Sequence, residues 1–413
     1  MAVTPAATPS AATRAVGAAR EAARVDALTG VRALAACWVV AYHLWLVAGR
    51  PLLAPSSHVD FTPLVAMGWL GVDVFFILSG FVLTWQALHD PRGDAAFARA
   101  TFWRDAGTFV RRRVLRVYPA YLATLSVLLP LGWLGVVPPP AGTGDVALHL
   151  VMLHNLVAAY VTTINDVYWS MPFEWQFYLV FPLLILPVLA RRTAWLLAGG
   201  VSVAVLAKLV SAIHGPGAEI AQFPWRVDEF VVGMAAASPA VRGGLSSRVH
   251  AWLAWLGALS LVVGAYAVAA RDPIWWQPGA LPLVRAAWID ATVAMLVIGL
   301  CSRANGVARF FALAPVVWLG TISYSIYLWH LPTLLMARDL LGHATASLPP
   351  AFVLSIAACA VLAVSALSYY AIEAPFHTPS RTASATWRAP RTRLAAVVAW
   401  GACLMLAALW HAR

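Results

Sequence analysis

Eleven apolar runs, most of them about 20 residues long, constrain the fold of this chain more than any other feature of its sequence. A helix needs about 20 apolar residues to cross the hydrocarbon core of a bilayer. Of the 413 residues 62% are hydrophobic and 11% are charged, whereas a soluble domain is about 45–50% apolar and about 25% charged. We therefore predict an all-α fold, a polytopic transmembrane helical bundle of about ten core spans plus one extra C-terminal span. The candidate spans are residues 30–48, 65–87, 115–136, 172–190, 194–213, 226–240, 251–270, 284–302, 313–336, 350–372 and 394–411.

The arginines indicate how these spans are oriented, because the cytoplasmic loops of membrane proteins carry an excess of Lys and Arg. When the N-terminus is placed in the cytoplasm and the spans alternate, most arginines fall in cytoplasmic segments, among them 111–113, 191–192 and 381–393. The stretch 147–164 is either a full span or a half-helix folded into the external face. A full span would move the arginine pair at 191–192 outside, so the half-helix is the preferred interpretation.

The segments outside the spans give the expected domain boundaries. Residues 1–25 are rich in Ala and lack the apolar run of a signal peptide, so we expect a mobile cytoplasmic tail with some helix between Arg14 and Arg24. Residues 26–377 form the membrane domain. Residues 378–393 form a cytoplasmic linker, and residues 394–413 a separate last span with an external C-terminus.

Charge, cysteine content and motifs argue against several classes of function. The net charge is +11, but the orientation rule accounts for most of it, so no nucleic-acid partner is predicted. The four cysteines lie singly in apolar stretches, which predicts neither a disulfide framework nor a zinc site. His149 and His154 are expected on different faces of a helix with no carboxylate nearby, so no metal site is predicted. The sequence has no P-loop and no G-x-G-x-x-G motif, so nucleotide hydrolysis is unsupported.

The first span contains two ionisable residues, Arg32 and His43, although an Arg at the centre of a span costs about 2.5–3.5 kcal/mol on insertion scales. Their spacing corresponds to about 16 Å along a helix and places both on one face within about 20°. Arg32 would lie near the cytoplasmic end, and His43 in the outer half of the bilayer. Ionisable groups inside membranes are functional candidates by default. The alternative is an Arg that snorkels to the interface and a His that bonds a neighbouring helix.

Two further stretches carry candidates for binding and catalysis. Arg111, Arg113 and Arg116 lie at the inner mouth of the third span. An arginine cluster there either grips phosphate groups or anchors the span by the orientation rule. Glu174 stands among aromatic residues at the outer start of the fourth span. It would form a couple with His43 if the first and fourth spans touch, and the alternative is a carboxylate favoured by the dipole of its helix.

Other polar residues within the spans are secondary candidates. His330 taken alone is more often a hydrogen-bonded packing residue. Ser79 and Gly80 are interpreted as a small pair that lets two helices approach closely, because Ser79 does not lie in a G-x-S-x-G motif. The secondary candidates are Asp73, Arg226, Glu229, His330 and Glu373.

Seven stretches, in order, resemble the motifs of the acyltransferase-3 family of integral membrane O-acyltransferases, and they cover roughly residues 26–377. The resemblance implies about ten core spans, an acyl-CoA donor that is usually acetyl-CoA, and a hydroxyl acceptor on a carbohydrate or a glycosylated small molecule. The stretches are LTGVRALAACWVVAYHLW, GVDVFFILSGFVL, RRRVLRVYPAYL, WSMPFEWQFYLVFPLL, RVDEFVVGM, SYSIYLWHLP and YYAIEAPF.

The resemblance also implies roles for individual residues. The Arg-x10-His signature of the family corresponds to Arg32 and His43, and its glutamate at the start of a span to Glu174. The arginine cluster of the family corresponds to Arg111, Arg113 and Arg116.

The chain departs from the family in its first motif, which usually reads Leu-Asp-Gly-Leu-Arg-Gly. Thr29 replaces the acid, so a partner for Arg32 is lost or supplied elsewhere, with Asp26 as the available substitute. No soluble esterase-like domain is appended, so we expect the stand-alone type of the family, and the last span falls outside its core.

These implications predict an acyltransferase in the cytoplasmic (inner) membrane of a bacterium, with no tightly bound cofactor and no metal. Its partners would be acyl-CoA, a carbohydrate or glycoside acceptor and the bilayer. His43 would act as the base, Glu174 would orient it, the arginine cluster would hold CoA phosphates, and Arg32 would line the route between them. The alternative is a transporter or flippase of a lipid-linked glycan, which would also need polar groups in its spans.

Overall fold

The computed structural model describes residues 11–56, 59–90, 97–214, 222–242, 244–270, 281–302, 305–342, 350–377 and 389–412. Within these ranges the chain is almost wholly helical and forms no β-strand, which confirms the all-α prediction. Eleven long helices follow one another along the described chain. They are α1 (Ala11–Val47), α2 (Gly71–Leu88), α3 (Phe102–Trp133), α4 (Met171–Leu189), α5 (Thr193–His214), α6 (Val227–Arg242), α7 (Ser247–Ala269), α8 (Leu281–Gly299), α9 (Ser323–Gly342), α10 (Pro350–Ser368) and α11 (Pro390–His411).

Each predicted span corresponds to one of these helices, and nine helical stretches among the described residues are long and apolar enough to cross a membrane. The two helices that do not qualify are α6, which has only 16 residues, and α9, whose polar residues include His330, Arg338 and Asp339. The predicted span 313–336 is also interrupted, because a separate helix, Ala314–Thr321, ends just before α9 begins.

Short helical elements connect the long helices. The ambiguous stretch 147–164 does not form a spanning helix, which agrees with the half-helix interpretation. A helix at Thr143–Leu150 is followed by single 3-10 turns at His154–Leu156, Ala158–Tyr160 and Asp166–Ser170, and the last of these leads directly into α4. A π-helical turn, Tyr369–Glu373, extends α10. The remaining short elements are Thr62–Ala66, Gly68–Leu70, Phe223–Arg226, Gly306–Phe311 and Ala374–His377.

The first and last helices both begin earlier in the chain than the boundaries predicted from the sequence. The helix α1 begins at Ala11 and runs without a break into the first span, so residues 11–25 of the predicted mobile tail are helical. Residues 1–10 lie outside the described residues. The helix α11 begins at Pro390, inside the predicted linker, of which residues 378–388 also lie outside the described residues.

The last helix is attached to the bundle and is not the separate span that we expected. The Trp400 indole nitrogen on α11 donates a hydrogen bond of 2.8 Å to the Ser126 hydroxyl on α3. The last residues of these two helices also meet, because the rings of Trp133 on α3 and His411 on α11 stack with their centroids 4.6 Å apart. The helix α11 also contacts the short helix Thr143–Leu150.

The short helix α6 lies inside the bundle, where it packs against α2, α5 and α8. Its side chains Phe230, Val231 and Met234 are buried. Because other helices enclose it, α6 does not have to match the thickness of the hydrocarbon layer. The bundle interior therefore accepts a helix that the sequence alone marks as too short.

Two glycines allow α2 and α6 to cross in backbone contact. A Cβ atom on Gly80 would lie 2.1 Å from the Phe230 carbonyl oxygen, and one on Gly233 would lie 1.9 Å from the Ile77 carbonyl oxygen. Real Cβ atoms do not approach backbone oxygen so closely. The helices can therefore meet here only because both positions are glycine, which confirms the packing interpretation of Gly80.

The outer surface of the bundle is apolar. Leu206 on α5, Leu259 on α7 and Leu406 on α11 are 63%, 61% and 65% exposed. A continuous apolar surface of this kind would promote aggregation in water, whereas in a bilayer it contacts lipid. These helices therefore present their apolar faces to the membrane.

The crossing of α2 and α6 gives a test of the fold. Gly80→Ala should lower the thermal stability of the detergent-solubilised protein, because the added methyl group overlaps the Phe230 carbonyl. Overpacking typically costs about 1–3 kcal/mol. Gly199→Ala on α5 is the matched control, since nothing lies within 4 Å of its Cβ position. That substitution should be neutral or stabilising, because Ala is a better helix former than Gly. Equal unfolding temperatures for the two variants would contradict the crossing.

Candidate active site

A cavity of about 490 Å³ lies at the end of the bundle where α3 begins, which we call the arginine-rich end. Its walls come from α2, α3, the turn after α10 and the first turn of α11. Five guanidinium groups face it, and none of the described residues that line it carries a carboxylate. The lining residues are Gln86, Arg111, Arg112, Arg113, Leu115, Arg116, His377, Pro390 and Arg393.

A second cavity, of about 520 Å³, shares Gln86, Arg112 and Arg113 with the first. Its walls are more apolar and include Leu83 and Phe181, and they also carry the carboxylates of Asp90 and Asp105. The two cavities together suit a ligand that combines several anionic groups with a less polar part.

Arg116 connects the first cavity to the interior of the bundle. Its guanidinium donates to the Glu373 carboxylate and lies 3.2 Å from His377 Nε2. Glu373 is fully buried, and its second carboxylate oxygen accepts a hydrogen bond of 2.9 Å from Ser325 on α9. Glu373 ends the π-helical turn after α10, a feature that is frequent at functional sites. The secondary candidate Glu373 is therefore the ionic partner of the predicted donor-binding residue Arg116.

Glu174 belongs to the same interior cluster. Its carboxylate accepts a hydrogen bond of 3.0 Å from the Ser79 hydroxyl on α2 and another from the hydroxyl of Tyr178, one turn further along α4. The Arg113 guanidinium lies over the Tyr178 ring, 5.8 Å from its centroid. The sequence suggested a hydrogen-bonded pair of Glu174 and His43, but in the structure Glu174 bonds Ser79 and Tyr178 instead. Both hydrogen-bond partners of the Glu174 carboxylate lie on α2 and α4.

Arg32 lies between the arginine-rich cavity and the far end of α1. Its Nε donates a hydrogen bond of 3.3 Å to Ser323, and its guanidinium lies 5.6 Å from the centroid of the Phe75 ring. The carboxylates of Glu174 and Glu373 are close enough for their charges to act on it. Carboxylates from two other elements therefore act on the charge of Arg32, whereas Thr29 stands where the family has an acid.

His43 meets a second imidazole, that of His330 on α9. His43 Nδ1 lies 2.9 Å from the Val39 carbonyl oxygen and 3.2 Å from His330 Nε2. His330 Nδ1 lies 2.8 Å from the Tyr327 carbonyl oxygen. A carbonyl oxygen only accepts, so both Nδ1 atoms carry the proton in this arrangement, and His330 Nε2 is the acceptor. The remaining nitrogen, His43 Nε2, therefore presents a lone pair and can act as a base.

Two more groups complete the surroundings of the imidazole pair. Asp166, in the 3-10 turn before α4, lies close enough to His43 for the two charges to interact. Tyr327 stands between the imidazole pair and Arg32, because its ring contacts both the Phe75 ring and the His330 ring, with centroids 6.2 Å and 5.8 Å apart. A continuous series of aromatic and polar side chains therefore leads from Arg32 to His43.

The other secondary candidates form a separate buried cluster. One Arg226 guanidinium nitrogen lies 3.0 Å from Asp73 on α2 and 2.9 Å from Glu229 on α6. Lys208 on α5 forms a 2.6 Å ion pair with Asp228. These ion pairs tie α2, α5 and the start of α6 together, and they satisfy charges that would be costly to leave alone inside a membrane.

The two histidines before α4 are arranged differently from the sequence prediction. The helix ends at Leu150, so His154 folds back and its ring stacks on that of His149, with centroids 3.8 Å apart. Asp145 lies 2.9 Å from His149 Nδ1, so a carboxylate is adjacent after all. Burial and the charge of His149 lower the pKa of His154 to about 3. His154 is therefore neutral at physiological pH.

Sequence reasoning missed several residues of this site, among them Asp166, Tyr178, His377 and Arg393. Tyr178 had a usable signal, because it follows Glu174 by one helical turn and so shares its face. Arg393 was assigned to a cytoplasmic linker. Asp166 and His377 are brought to the site by turns that no periodicity predicts.

Apolar helices thus surround a buried polar route, with an arginine-lined cavity at one end and an imidazole pair further along. Residues 25–370 match the family described as an acyltransferase domain. Because the match covers most of the chain, the protein belongs to the acyltransferase-3 family.

Relatives in bacteria agree with this assignment. The chain is 28% identical over 351 residues to the acyltransferase MdmB of Streptomyces mycarofaciens. The aligned region covers 77% of this chain and 81% of MdmB. The chain is 24% identical over 391 residues to the peptidoglycan O-acetyltransferase OatA of Listeria monocytogenes, with 85% and 55% covered. A third relative, YrhL of Bacillus subtilis, is 26% identical over 391 residues, with 86% and 55% covered.

The chain thus spans just over half the length of two of these relatives. No solved structure matches it. These three relatives come from bacteria, and the names of the Streptomyces and Listeria proteins describe an acyltransferase and an O-acetyltransferase.

Proposed function

We propose that the protein transfers an acyl group, in the first instance acetyl, from acyl-CoA to a hydroxyl group of a carbohydrate or glycoside. The donor would bind at the arginine-rich end, and the acceptor would reach His43 from the opposite end of the bundle. In this proposal the N-terminus is cytoplasmic, and the membrane is the inner membrane of a bacterium, so that the donor comes from the cytoplasm.

The observation that carries the proposal is the cavity lined by five arginines, with no carboxylate among the described residues of its lining. A high density of positive charge in a partly enclosed space favours a polyanionic ligand. Acyl-CoA carries a diphosphate and a 3′-phosphate, and planar guanidinium groups bind phosphate oxygens in pairs. Arg116 is already paired with Glu373, so the proposal assigns the phosphates to Arg111, Arg112 and Arg113.

The reaction requires a base, because a sugar hydroxyl is a poor nucleophile near neutral pH. His43 Nε2 would take the hydroxyl proton while the acceptor oxygen bonds to the thioester carbonyl carbon. The carbon–sulfur bond would then break, and the proton on His43 would pass to the CoA thiolate. The products are the acyl ester and free CoA, so atoms and charge balance.

His330 and Glu174 would act through other residues. The His330 Nε2 acceptor helps to hold the proton of His43 on Nδ1, which leaves Nε2 basic. Glu174 accepts hydrogen bonds from Ser79 and Tyr178 beside Arg32 and Arg113. In the proposed site it positions these two cations along the route of the pantetheine arm, and it does not orient His43.

The proposal that the acceptor is a carbohydrate hydroxyl is based on the family and on the names of the relatives. The Listeria relative is named as a peptidoglycan O-acetyltransferase. The Streptomyces relative is named as an acyltransferase, and this chain covers a larger share of its length. Surface polysaccharide or peptidoglycan and glycosylated small molecules are therefore the two acceptor classes to compare.

The donor cavity predicts a binding defect for Arg113→Ala. Loss of one charge-assisted hydrogen-bonding group should weaken acetyl-CoA binding about tenfold or more in the purified protein. Arg113→Lys should restore only part of the affinity, because an ammonium group lacks the planar fork. Arg192→Ala removes an exposed arginine from the same end of the bundle and is the control for net charge. If calorimetry shows the same acetyl-CoA affinity for Arg113→Ala as for the wild type, the arginine cluster serves only to anchor the span in the membrane.

The imidazole pair predicts a graded series of activities. His43→Gln should lower acyl transfer by about 10²–10⁴, because base catalysis is lost while the site remains polar. His330→Leu removes only the acceptor that faces His43, so it should lower kcat less, with little change in KM for the donor. His330→Gln, whose side chain can still accept a hydrogen bond, should retain more activity than His330→Leu.

A displaced histidine provides the control for this series. His43→Leu combined with Leu44→His keeps a histidine in α1 but rotates it by about 100° around the helix. This variant should stay inactive at normal membrane levels. Wild-type rates in His43→Gln would show that His43 is a packing residue.

A further inference from the structure

The turn that leads into α4 brings a carboxylate to the imidazole pair, at the end of the bundle opposite the arginine-rich end. Asp166 is the first residue of the 3-10 turn Asp166–Ser170, and its charge acts on His43. Asp166 is exposed and His43 is half-buried, whereas His330 is fully buried. A molecule that approaches from this end can therefore meet Asp166 and His43, but it cannot reach the second imidazole.

Hydrogen bonds on both sides of Asp166 hold this turn against α9, the helix that carries the second imidazole. The Asn165 side-chain amide donates a hydrogen bond of 3.2 Å to the Leu328 carbonyl oxygen. The Tyr327 hydroxyl donates one of 2.8 Å to the Val167 carbonyl oxygen. Asn165 and Val167 are buried. The position of the Asp166 backbone relative to the imidazole pair is thus set by packed elements, as a preorganised binding group requires.

The backbone just before Asp166 adopts a conformation that its side chain disfavours. Ile164 has a φ of 64°, in the left-handed region, and it is 2% exposed. A β-branched residue is a genuine outlier at positive φ. Such strain persists only where the surrounding structure imposes it, and it is concentrated at functional sites. The direction in which the chain enters the turn of Asp166 is therefore a constrained feature of the fold.

The carboxylate of Asp166 does not orient the ring of His43. His43 Nδ1 faces the Val39 carbonyl oxygen and His330 Nε2, and among the described contacts no hydrogen bond joins Asp166 to either ring. A carboxylate beside the hydrocarbon region is costly unless it meets water or polar groups. A sugar presents hydroxyl groups next to the one that reacts, and both oxygens of a carboxylate accept hydrogen bonds from such donors.

We propose that Asp166 determines acceptor specificity, because its carboxylate accepts a hydrogen bond from a hydroxyl or amino group beside the reacting hydroxyl and holds that hydroxyl at His43 Nε2. This inference rests on the proposed function, since it takes His43 to be the base. It narrows the acceptor to a sugar with a second donor near the reacting hydroxyl. Neutral sugars and amino sugars fit this site, whereas the negative charge of Asp166 repels acidic sugars.

The test measures acetyl transfer from labelled acetyl-CoA by the full-length protein in nanodiscs, which leave both ends of the bundle accessible. The acceptors are three nitrophenyl glycosides: a glucoside, a glucosaminide and a glucuronide. We expect wild-type kcat/KM to be at least tenfold lower for the glucuronide than for the glucoside. Asp166→Asn should raise KM for the glucoside about tenfold, the effect of losing one charge-assisted hydrogen bond. It should leave KM for acetyl-CoA unchanged and reduce the discrimination against the glucuronide.

Two further variants separate acceptor binding from other effects of the charge. Asp166→Glu keeps the carboxylate on a longer side chain, so it should recover part of the affinity for the glucoside. Asp339→Asn makes the same change of charge at an exposed position further along α9, so it should leave every KM within about twofold. If Asp166→Asn lowers kcat equally for all three glycosides and leaves KM unchanged, the carboxylate stabilises protonated His43 instead, and the proposal fails.

The wild-type rates separate this inference from the proposed function. If the wild-type protein transfers acetyl to none of the three glycosides, the proposed sugar acceptor is wrong, and the role of Asp166 fails with it. If the wild-type protein acylates the glucoside and the glucuronide equally well, or if Asp166→Asn keeps the wild-type KM and preference, transfer to a sugar stands and only the role of Asp166 is wrong.

Discussion

The need to satisfy every ionisable group inside an apolar bundle determines how these helices are arranged. No water is available in the hydrocarbon region, so a buried charge has to find its partner on another helix. The ion pair between Arg116 and Glu373 joins α3 to the turn after α10, and Ser325 extends it to α9. Arg226 does the same for α2 and α6 through Asp73 and Glu229. These contacts position the site as well as stabilise the fold.

The two polar regions have different characters. In the cluster around Arg226 and Lys208, the cations face carboxylates at hydrogen-bonding distance. At the arginine-rich end, five guanidinium groups line the first cavity, and the described residues of its lining include no carboxylate. An excess of one charge around a cavity is costly for folding alone, and it is the pattern expected where a ligand supplies the opposite charge. This contrast separates the region that we interpret as structural from the region that we interpret as functional.

Hydropathy predicted the position of all eleven long helices, because the length and composition of a span are properties of the local sequence. It could not predict that α6 is enclosed or that the span at 313–336 is interrupted, since both depend on neighbouring helices. The partners of the site residues were mostly missed for the same reason. Arg32 and His43 were singled out from their spacing, and their roles remain predictions. The hydrogen bonds of Glu174 and His43 go to other residues than the sequence suggested. Glu174 lies one turn into α4, beside Tyr178 and opposite Ser79, whereas His43 meets His330.

The central claim is that donor and acceptor reach one reaction path from opposite faces of the membrane. It can be tested with protein reconstituted in vesicles in one orientation, verified by labelling Trp103→Cys, which replaces an 83% exposed residue at the arginine-rich end, in a background without the native cysteines. Labelled acetyl-CoA is supplied on one side, and a soluble peptidoglycan fragment on the same side or the other. We expect transfer only when acetyl-CoA is on the arginine-rich side and the acceptor is on the opposite side. Transfer that requires both substrates on the same side would contradict this account.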